Sequence, residues 1–183
     1  MPKVSEEHRE ARRRQISEGA RRAFARWGYE GATVPRLEEE TGLSRGAIFS
    51  YYPSKLELFV ALAEEGQERL LRIWLDEGFE GVLHHAAANP EWLSMNLDVP
   101  RMLRDDEELM ARWQRFNPAL QAELTQRFVD QQARGELRAD LDVEALGNFH
   151  GAVLDGLAVH IAAGLTIDVD AMLELLRSAI APK

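Results

Sequence analysis

Apolar residues along this chain recur every three or four positions and strand-like alternation is absent, so each element the pattern predicts is a helix. Ile16, Ala20, Ala23, Phe24 and Trp27 share one helical face and predict a first helix over roughly 6–27, which the two glycines of "GYEGAT" stop. Thr33 can cap a short second helix over roughly 34–41, with Pro35 tolerated in its first turn. Gly42 permits a tight turn, Ser44 caps a third helix over roughly 45–51, and Pro53 ends it. "SKLE" reads as a capping box, Ser54 with Glu57, and opens a helix running to about Leu75 with Leu58, Phe59, Leu62 and Leu70 available for packing. Helices over roughly 79–88, 91–103, 106–134, 142–163 and 168–180 follow. Pro100 kinks or breaks the second of these and Pro118 bends the third. The fold class is all-α, with about nine helices and no internal repeat.

At 183 residues the chain is one medium domain or two small ones, and 45% apolar residues make a packed core feasible. The net charge of −9 argues against a polyanionic partner, but its distribution reverses that reading. Residues 1–55 carry 11 Lys and Arg against 8 Asp and Glu, while the remainder carries 11 against 23. A small basic head on an acidic body points the head at a polyanion. No run of 18 apolar residues occurs, and "MPKVSEEHREARRR" lacks the apolar centre of a secretory signal, so no membrane partner is expected. The absence of cysteine removes disulfides and thiolate metal sites and fits a cytoplasmic protein. His84 and His85 are adjacent and point about 100° apart on a helix. His150 and His160 are ten residues apart, so no metal site is expected. No GxSxG elbow, phosphate-binding loop or dinucleotide loop occurs, which argues against an enzyme.

Two short helices joined at a glycine turn beside a longer helix form a helix-turn-helix pattern. Ala47 and Ile48 can bury against the first helix, Gly46 lets the backbone approach a surface, and Arg45, Ser50 and Tyr51 project outward, as a helix in the DNA major groove requires. "GLSRGAIFSYYPSK" resembles the DNA-binding signature of the tetracycline-repressor (TetR) family, with Gly42, Ser44, Gly46, Ile48 and Lys55 in the family's places. Phe49, Tyr51 and Tyr52 depart from it, and Phe49 lacks the hydroxyl of the family's tyrosine. "GELRADLDVEALGNF" at 135–149 resembles a turn common in that family's ligand domain. The resemblance implies a DNA-binding domain over 1–53 and a ligand-binding and dimerisation domain over 54–183. It implies a dimeric one-component regulator, a repressor, on a palindromic double-stranded operator. A small-molecule effector would release it by shifting the helix that opens at Ser54. The expected DNA contacts are Thr33, Arg36, Ser44, Arg45, Gly46, Ser50, Tyr51, Tyr52 and Lys55. For Tyr51 the alternative is packing on the first helix, and for Thr33 a plain cap. Lys55 in a helix's first turn opposes the helix dipole, which a facing phosphate would explain. Within the family, "GYEGATVPRLEEETGLSRGAIF" is similar to the actinobacterial aconitase repressors, which implies sensing of a tricarboxylate such as citrate, with a divalent cation. No other cofactor is required.

In the 106–134 helix the stripe Leu109, Trp113, Phe116, Leu120 and Leu124 continues to Arg127. An arginine there pairs with an internal partner such as Asp155, snorkels to water, or clamps a ligand carboxylate. Arg101, Arg104, Trp113, Asn117 and His150 are the further candidates for the effector site. The 142–163 helix carries two stripes, and Gly147, Gly151, Leu154, Ala158 and Ile161 make the one rich in small residues. With Leu173 and Leu176 of the last helix it is expected to face a second copy of the chain, the alternative being a larger monomer core.

Overall fold

The computed structural model describes residues 6–182, and all regular structure among them is helical. Residues 1–5 and 183 of the two expected domains lie outside the described residues. α1 (Glu6–Gly31) buries Ile16, Ala20, Ala23 and Phe24 and turns at Gly28, whose φ of 67° suits a residue without a side chain. α2 (Val34–Thr41) ends at Gly42 in the left-handed region, and α3 (Arg45–Phe49) starts three residues later. α4 (Lys55–Ala88) is one bent rod, broken in backbone geometry only at Gly78 (φ 76°), so the helices expected on either side of that glycine are its two halves.

The other two departures lie where prolines stand. The helix expected over 91–103 is two, α5 (Pro90–Asn96) and α6 (Val99–Asp105), with Pro100 in the first turn of α6 where its missing N–H costs no bond. The helix expected over 106–134 breaks outright into α7 (Glu107–Gln114) and α8 (Pro118–Ala133). A residue preceding proline is disfavoured in the right-handed helical region, and Asn117 takes φ 46° and ψ 50° instead. α9 (Val143–Ala162) and α10 (Val169–Ile180) are opened by Asp142 and Asp168, whose carboxylates accept from Ala145 N and Ala171 N, each at 2.9 Å. One join and two breaks turn about nine expected helices into ten among the described residues.

The capping box at α4 is half used. Ser54 Oγ accepts from Glu57 N at 3.1 Å, but the Glu57 carboxylate accepts from Arg112 Nη1 at 3.0 Å. The same guanidinium grips both oxygens of Glu64, at 2.7 and 2.8 Å, and so fastens α7 along α4.

Three apolar clusters hold the helices together. The first joins Ile16, Phe24, Leu37, Ile48, Leu58, Phe59 and Leu62 to Met95, Val99, Leu103 and Leu109. It therefore runs across the 53/54 junction: the first turns of α4, with α6 and α7, share a core with the head. The second packs the end of α4 and Leu93 against Leu157, Ala158, Leu173 and Leu176. The third joins Leu124 and Phe128 of α8 to Leu137 and Leu146.

Candidate functional site

α2 docks end-on against α1. Thr41 Oγ1 donates to Leu37 O at 2.6 Å, Gln15 Nε2 to Thr41 O at 2.8 Å, and Arg22 Nη2 to Glu40 O at 2.6 Å. The last two carbonyls of α2, Glu40 O and Thr41 O, which have no partner within their own helix, are thus satisfied by α1. The approach is close enough that a Cβ at Gly19 would stand 2.6 Å from Thr41 Cα. On this base α3 is held by Ile48, fully buried, and by Glu38 Oε1, which accepts from Arg45 N at 2.6 Å. Ser44 Oγ caps Ala47 N at 3.4 Å.

What α3 leaves outward is Arg45, Gly46 and Ser50, all exposed, with Tyr51 half-buried beside them. A Cβ at Gly46 would meet nothing within 4 Å, so nothing inside the subunit requires a glycine there. The Ser50 hydroxyl donates to Ala47 O at 2.7 Å and keeps its lone pairs outward. Arg9 and Arg13 of α1 border a groove of about 600 Å³ whose other wall is Ser50 and Tyr51. Glu6 and Glu10 line the same wall, so no excess of charge in the sequence marks Arg9 as a contact.

Three of the expected contacts have other engagements. Tyr52 OH lies 3.3 Å from Ser17 Oγ, and the Arg13 guanidinium lies over its ring at 5.9 Å. Arg36 donates to Gly31 O at 2.7 Å and stacks on Trp27 at 4.8 Å. Lys55 Nζ donates to Tyr29 O at 2.8 Å and lies 4.2 Å from the centre of the Tyr29 ring, which accounts for its place against the helix dipole without a phosphate. Thr33 stands at the α2 N-cap and is exposed, yet its side chain makes no capping bond, so the plain-cap alternative does not hold.

Tyr29 is also the joint between head and body. Its N–H, released from the helix by the turn at Gly28, donates to Asp98 Oδ2 at 2.6 Å, and Asp98 is the residue that leads into α6. One residue, through its N–H, its carbonyl and its ring, therefore links α1, the start of α4 and the start of α6.

Of the expected effector residues, Arg127 and His150 share a recess, and the other four lie apart from it. Arg127 is half-buried, donates to Leu75 O rather than to Asp155, and borders a recess of about 350 Å³ with His150, Phe128, Glu80 and Arg177. Trp113 belongs to a different cavity. Arg101 and Arg104 are exposed, with Arg104 Nε 3.2 Å from Asp105 Oδ1, and Asn117 bonds Glu68 at the α7–α8 break. The breaks at Leu97–Asp98 and Arg115–Asn117 reset the helical phase, so a stripe counted through them loses its face.

Family profiles match over nearly the whole chain. The profile described as bacterial regulatory proteins, tetR family, matches residues 16–62, and that of the BetI-type transcriptional repressor C-terminal domain matches 61–182. The chain belongs to the TetR family of transcriptional repressors. It is 43% identical over 167 residues to the HTH-type transcriptional repressor Rv1474c of Mycobacterium tuberculosis, covering 90% of this chain and 89% of the relative. It is 38% identical to the HTH-type transcriptional repressor AcnR of Corynebacterium diphtheriae over 184 residues, 98% of this chain and 97% of that one. The fold matches FadR of Bacillus subtilis, crystallised with stearoyl-CoA, with a TM-score of 0.73, 17% identity and coverage of 91% and 96%. The repressor is a regulator and not an enzyme. No helix of the described residues is long and apolar enough to cross a membrane.

In this TetR-family repressor the stripe expected to face a partner copy is mostly internal. Ala158, Leu173 and Leu176 are buried, and Leu154 and Ile161 pack on the same cluster. α9 buries two stripes within one subunit because α4 bends at Gly78 and, with α5, covers the second. Gly147 and Gly151 remain half-exposed with open space over each missing Cβ. The large apolar side chains that these two helices leave exposed are Phe149 and Val159 on α9 and Leu175 on α10.

His150 is enclosed by Trp74, Phe79 and Phe128, with ring centres 4.6–5.3 Å away, and its Nδ1 lies 2.6 Å from Leu146 O. Burial pushes its pKa below the ordinary 6.5. The unfolded chain then binds a proton that the folded chain refuses, so stability is lost as pH falls below 6.5 toward the depressed folded value. The loss should approach about 1.4 kcal/mol per pH unit in that window. Urea titrations at pH 7.5, 6.5 and 5.5 should give a steeper decline for wild type than for His150→Phe. Parallel declines would mean that His150 protonates in the folded protein as it does in water.

Proposed function

We propose that the repressor binds a palindromic DNA operator as a homodimer and is released by a small-molecule effector, in the cytoplasm. Residues 1–53 read the duplex through the outer edge of α3, and residues 54–183 form the effector and dimerisation body. The carrying observation is the exposed Arg45, Gly46 and Ser50 edge with Tyr51 beside it, rigid on a buried Ile48 and with no internal use for the glycine. Ser44 supports that edge as the cap of α3. Thr33, Arg36, Tyr52 and Lys55 flank it, the last three oriented from within.

For the effector, the reading is a tricarboxylate such as citrate carried with a divalent cation, in the Arg127 recess. The aconitase-repressor resemblance and the AcnR names of relatives support the chemistry. Arg127 and Arg177 offer guanidiniums, while Glu77, Glu80 and Glu136 also border the recess and would repel a bare polyanion. A cation riding with the acid offsets that repulsion. Asp98 and Tyr29 then supply the route from body to head.

The test is fluorescence anisotropy on a duplex recovered from a genomic fragment library. Arg45→Ala and Tyr51→Ala should each weaken specific binding, by about 1–3 kcal/mol where a base contact is lost. Citrate with magnesium should release wild type and not Arg127→Ala. Wild-type affinity in both head variants would reject the α3 edge, and equal release of Arg127→Ala would reject the recess.

A further inference from the structure

We propose that a recess at the seam between head and body binds a small phosphomonoester without a metal ion, its phosphate oxygens held by Arg21, Arg69 and His85. The recess measures about 420 Å³ and lies between α1, both halves of α4, and α5. Arg21 reaches it from α1, Arg69 from the first half of α4 and His85 from the second, while Met95 of α5 gives it an apolar side. It shares no lining residue with the groove beside α3, the Arg127 recess or the Trp113 cavity.

Its charge is the reverse of the body around it. Acids line the groove beside α3, the Arg127 recess and the Trp113 cavity, but none of the described residues lining this recess is acidic. Arg69 is exposed, and neither its guanidinium nor the half-buried His85 ring has a hydrogen bond or ion pair among the described residues. One turn further along α4, by contrast, Arg72 is held by Glu68 at 2.7 Å. Arg21 Nη2 donates to Glu65 Oε2 at 2.6 Å, and Glu65 lines the adjoining groove with Tyr52 rather than this recess. That bond orients the guanidinium and leaves its other N–H groups for a ligand. Cations gathered this way repel one another until an anion joins them. A phosphomonoester brings about two negative charges and three acceptor oxygens, to be met by two guanidinium forks and a ring N–H. A carboxylate brings one charge and two oxygens. The Arg127 recess needs a metal ion because of its glutamates, and this one does not.

The position gives such a ligand mechanical consequence. Met95 packs in the cluster of the head with Ile16 and Phe24, whereas Ala86, next to His85, packs in the second cluster of the body. An anion gripped by Arg21 on one side and by Arg69 and His85 on the other ties α1 to both halves of α4. That tie is separate from the bond of Tyr29 to Asp98. The space beyond the phosphate, bordered by Met95 and Ala88, accommodates a small organic group.

The experiment needs neither DNA nor citrate, so its outcome is independent of the operator and effector readings. Calorimetry on the full chain in magnesium-free buffer uses glycerol 3-phosphate, with succinate as a dicarboxylate of similar size and glycerol as the neutral match. The phosphomonoester should bind saturably, at least about tenfold tighter than succinate, and glycerol should not bind. Arg69→Ala should weaken it about tenfold and Arg69→Lys by less, because lysine keeps the charge and loses the fork. Both variants should keep the wild-type melting temperature without ligand, since Arg69 is exposed and unpaired. Arg72→Ala removes the same charge one turn away and should bind like wild type. No saturable binding at millimolar concentration, equal binding of succinate, a requirement for magnesium, or equal weakening by Arg72→Ala and Arg69→Ala would each overturn the proposal.

Discussion

The double variant Val159→Glu with Leu175→Glu should sediment as a monomer and retain only weak, single-site operator binding. These two side chains are 54% and 72% exposed in the subunit, on α9 and α10, while their neighbours Ala158 and Leu176 are buried. Scattered exposed leucines need no explanation, but here they accompany Gly147 and Gly151, whose missing side chains face open space on the same helix as Val159. A second copy can approach such a surface closely, and a glutamate placed there would lose water without gaining a partner. Half-sites one helical turn of DNA apart require two linked heads, so a monomer retains only weak single-site affinity. Because both positions are exposed, the variant should keep its helical circular dichroism and its urea midpoint. A variant that remains dimeric would move the interface to another face, and a monomeric wild type would end the dimer proposal.

Gly19→Ala should destabilise the reading head by about 3 kcal/mol, the upper end expected when atoms are forced into a packed core. The new Cβ would lie 2.6 Å from Thr41 Cα and 2.7 Å from Glu40 O, both backbone atoms that no rotamer change can move. α1 would have to withdraw from α2, and the bonds from Gln15 to Thr41 O and from Arg22 to Glu40 O would lengthen together. Specific DNA binding should fall with the fold. Gly46→Ala is the control with the opposite signature. It meets nothing within 4 Å and replaces a helical glycine, so stability should hold or rise by up to about 1 kcal/mol while operator binding drops. If Gly19→Ala unfolds at the wild-type urea midpoint, the close docking of α1 on α2 is wrong.

The head was more legible than the body. Its signals are local: Gly42 at the turn, Ser44 as the cap of α3, Ile48 buried and Arg45 outward all follow from a few neighbouring residues. Gly19 was not legible, because its requirement comes from a helix twenty residues further on. Lys55 and Arg36 looked like phosphate ligands on local grounds, yet each long side chain found a carbonyl and an aromatic face within the subunit. In the body, periodicity found the helices but misjudged continuity at Asp98 and Asn117, and with it the set of residues that share a cavity.

By itself the sequence determined the helical class, the helix-turn-helix with its outward edge, the basic head on an acidic body, and membership of the family through motifs only a few residues long. These depend on spacing, capping and charge, which act between near neighbours in the chain. Only the tertiary structure decided that Tyr29 joins the head to Asp98, that Arg127 and Trp113 serve different cavities, and that Leu154, Ala158 and Leu176 are internal while Val159 and Leu175 are not. An amphipathic stripe records that a face will be covered. What covers it depends on where bends such as the one at Gly78 bring distant segments, and a one-dimensional period carries no information about that.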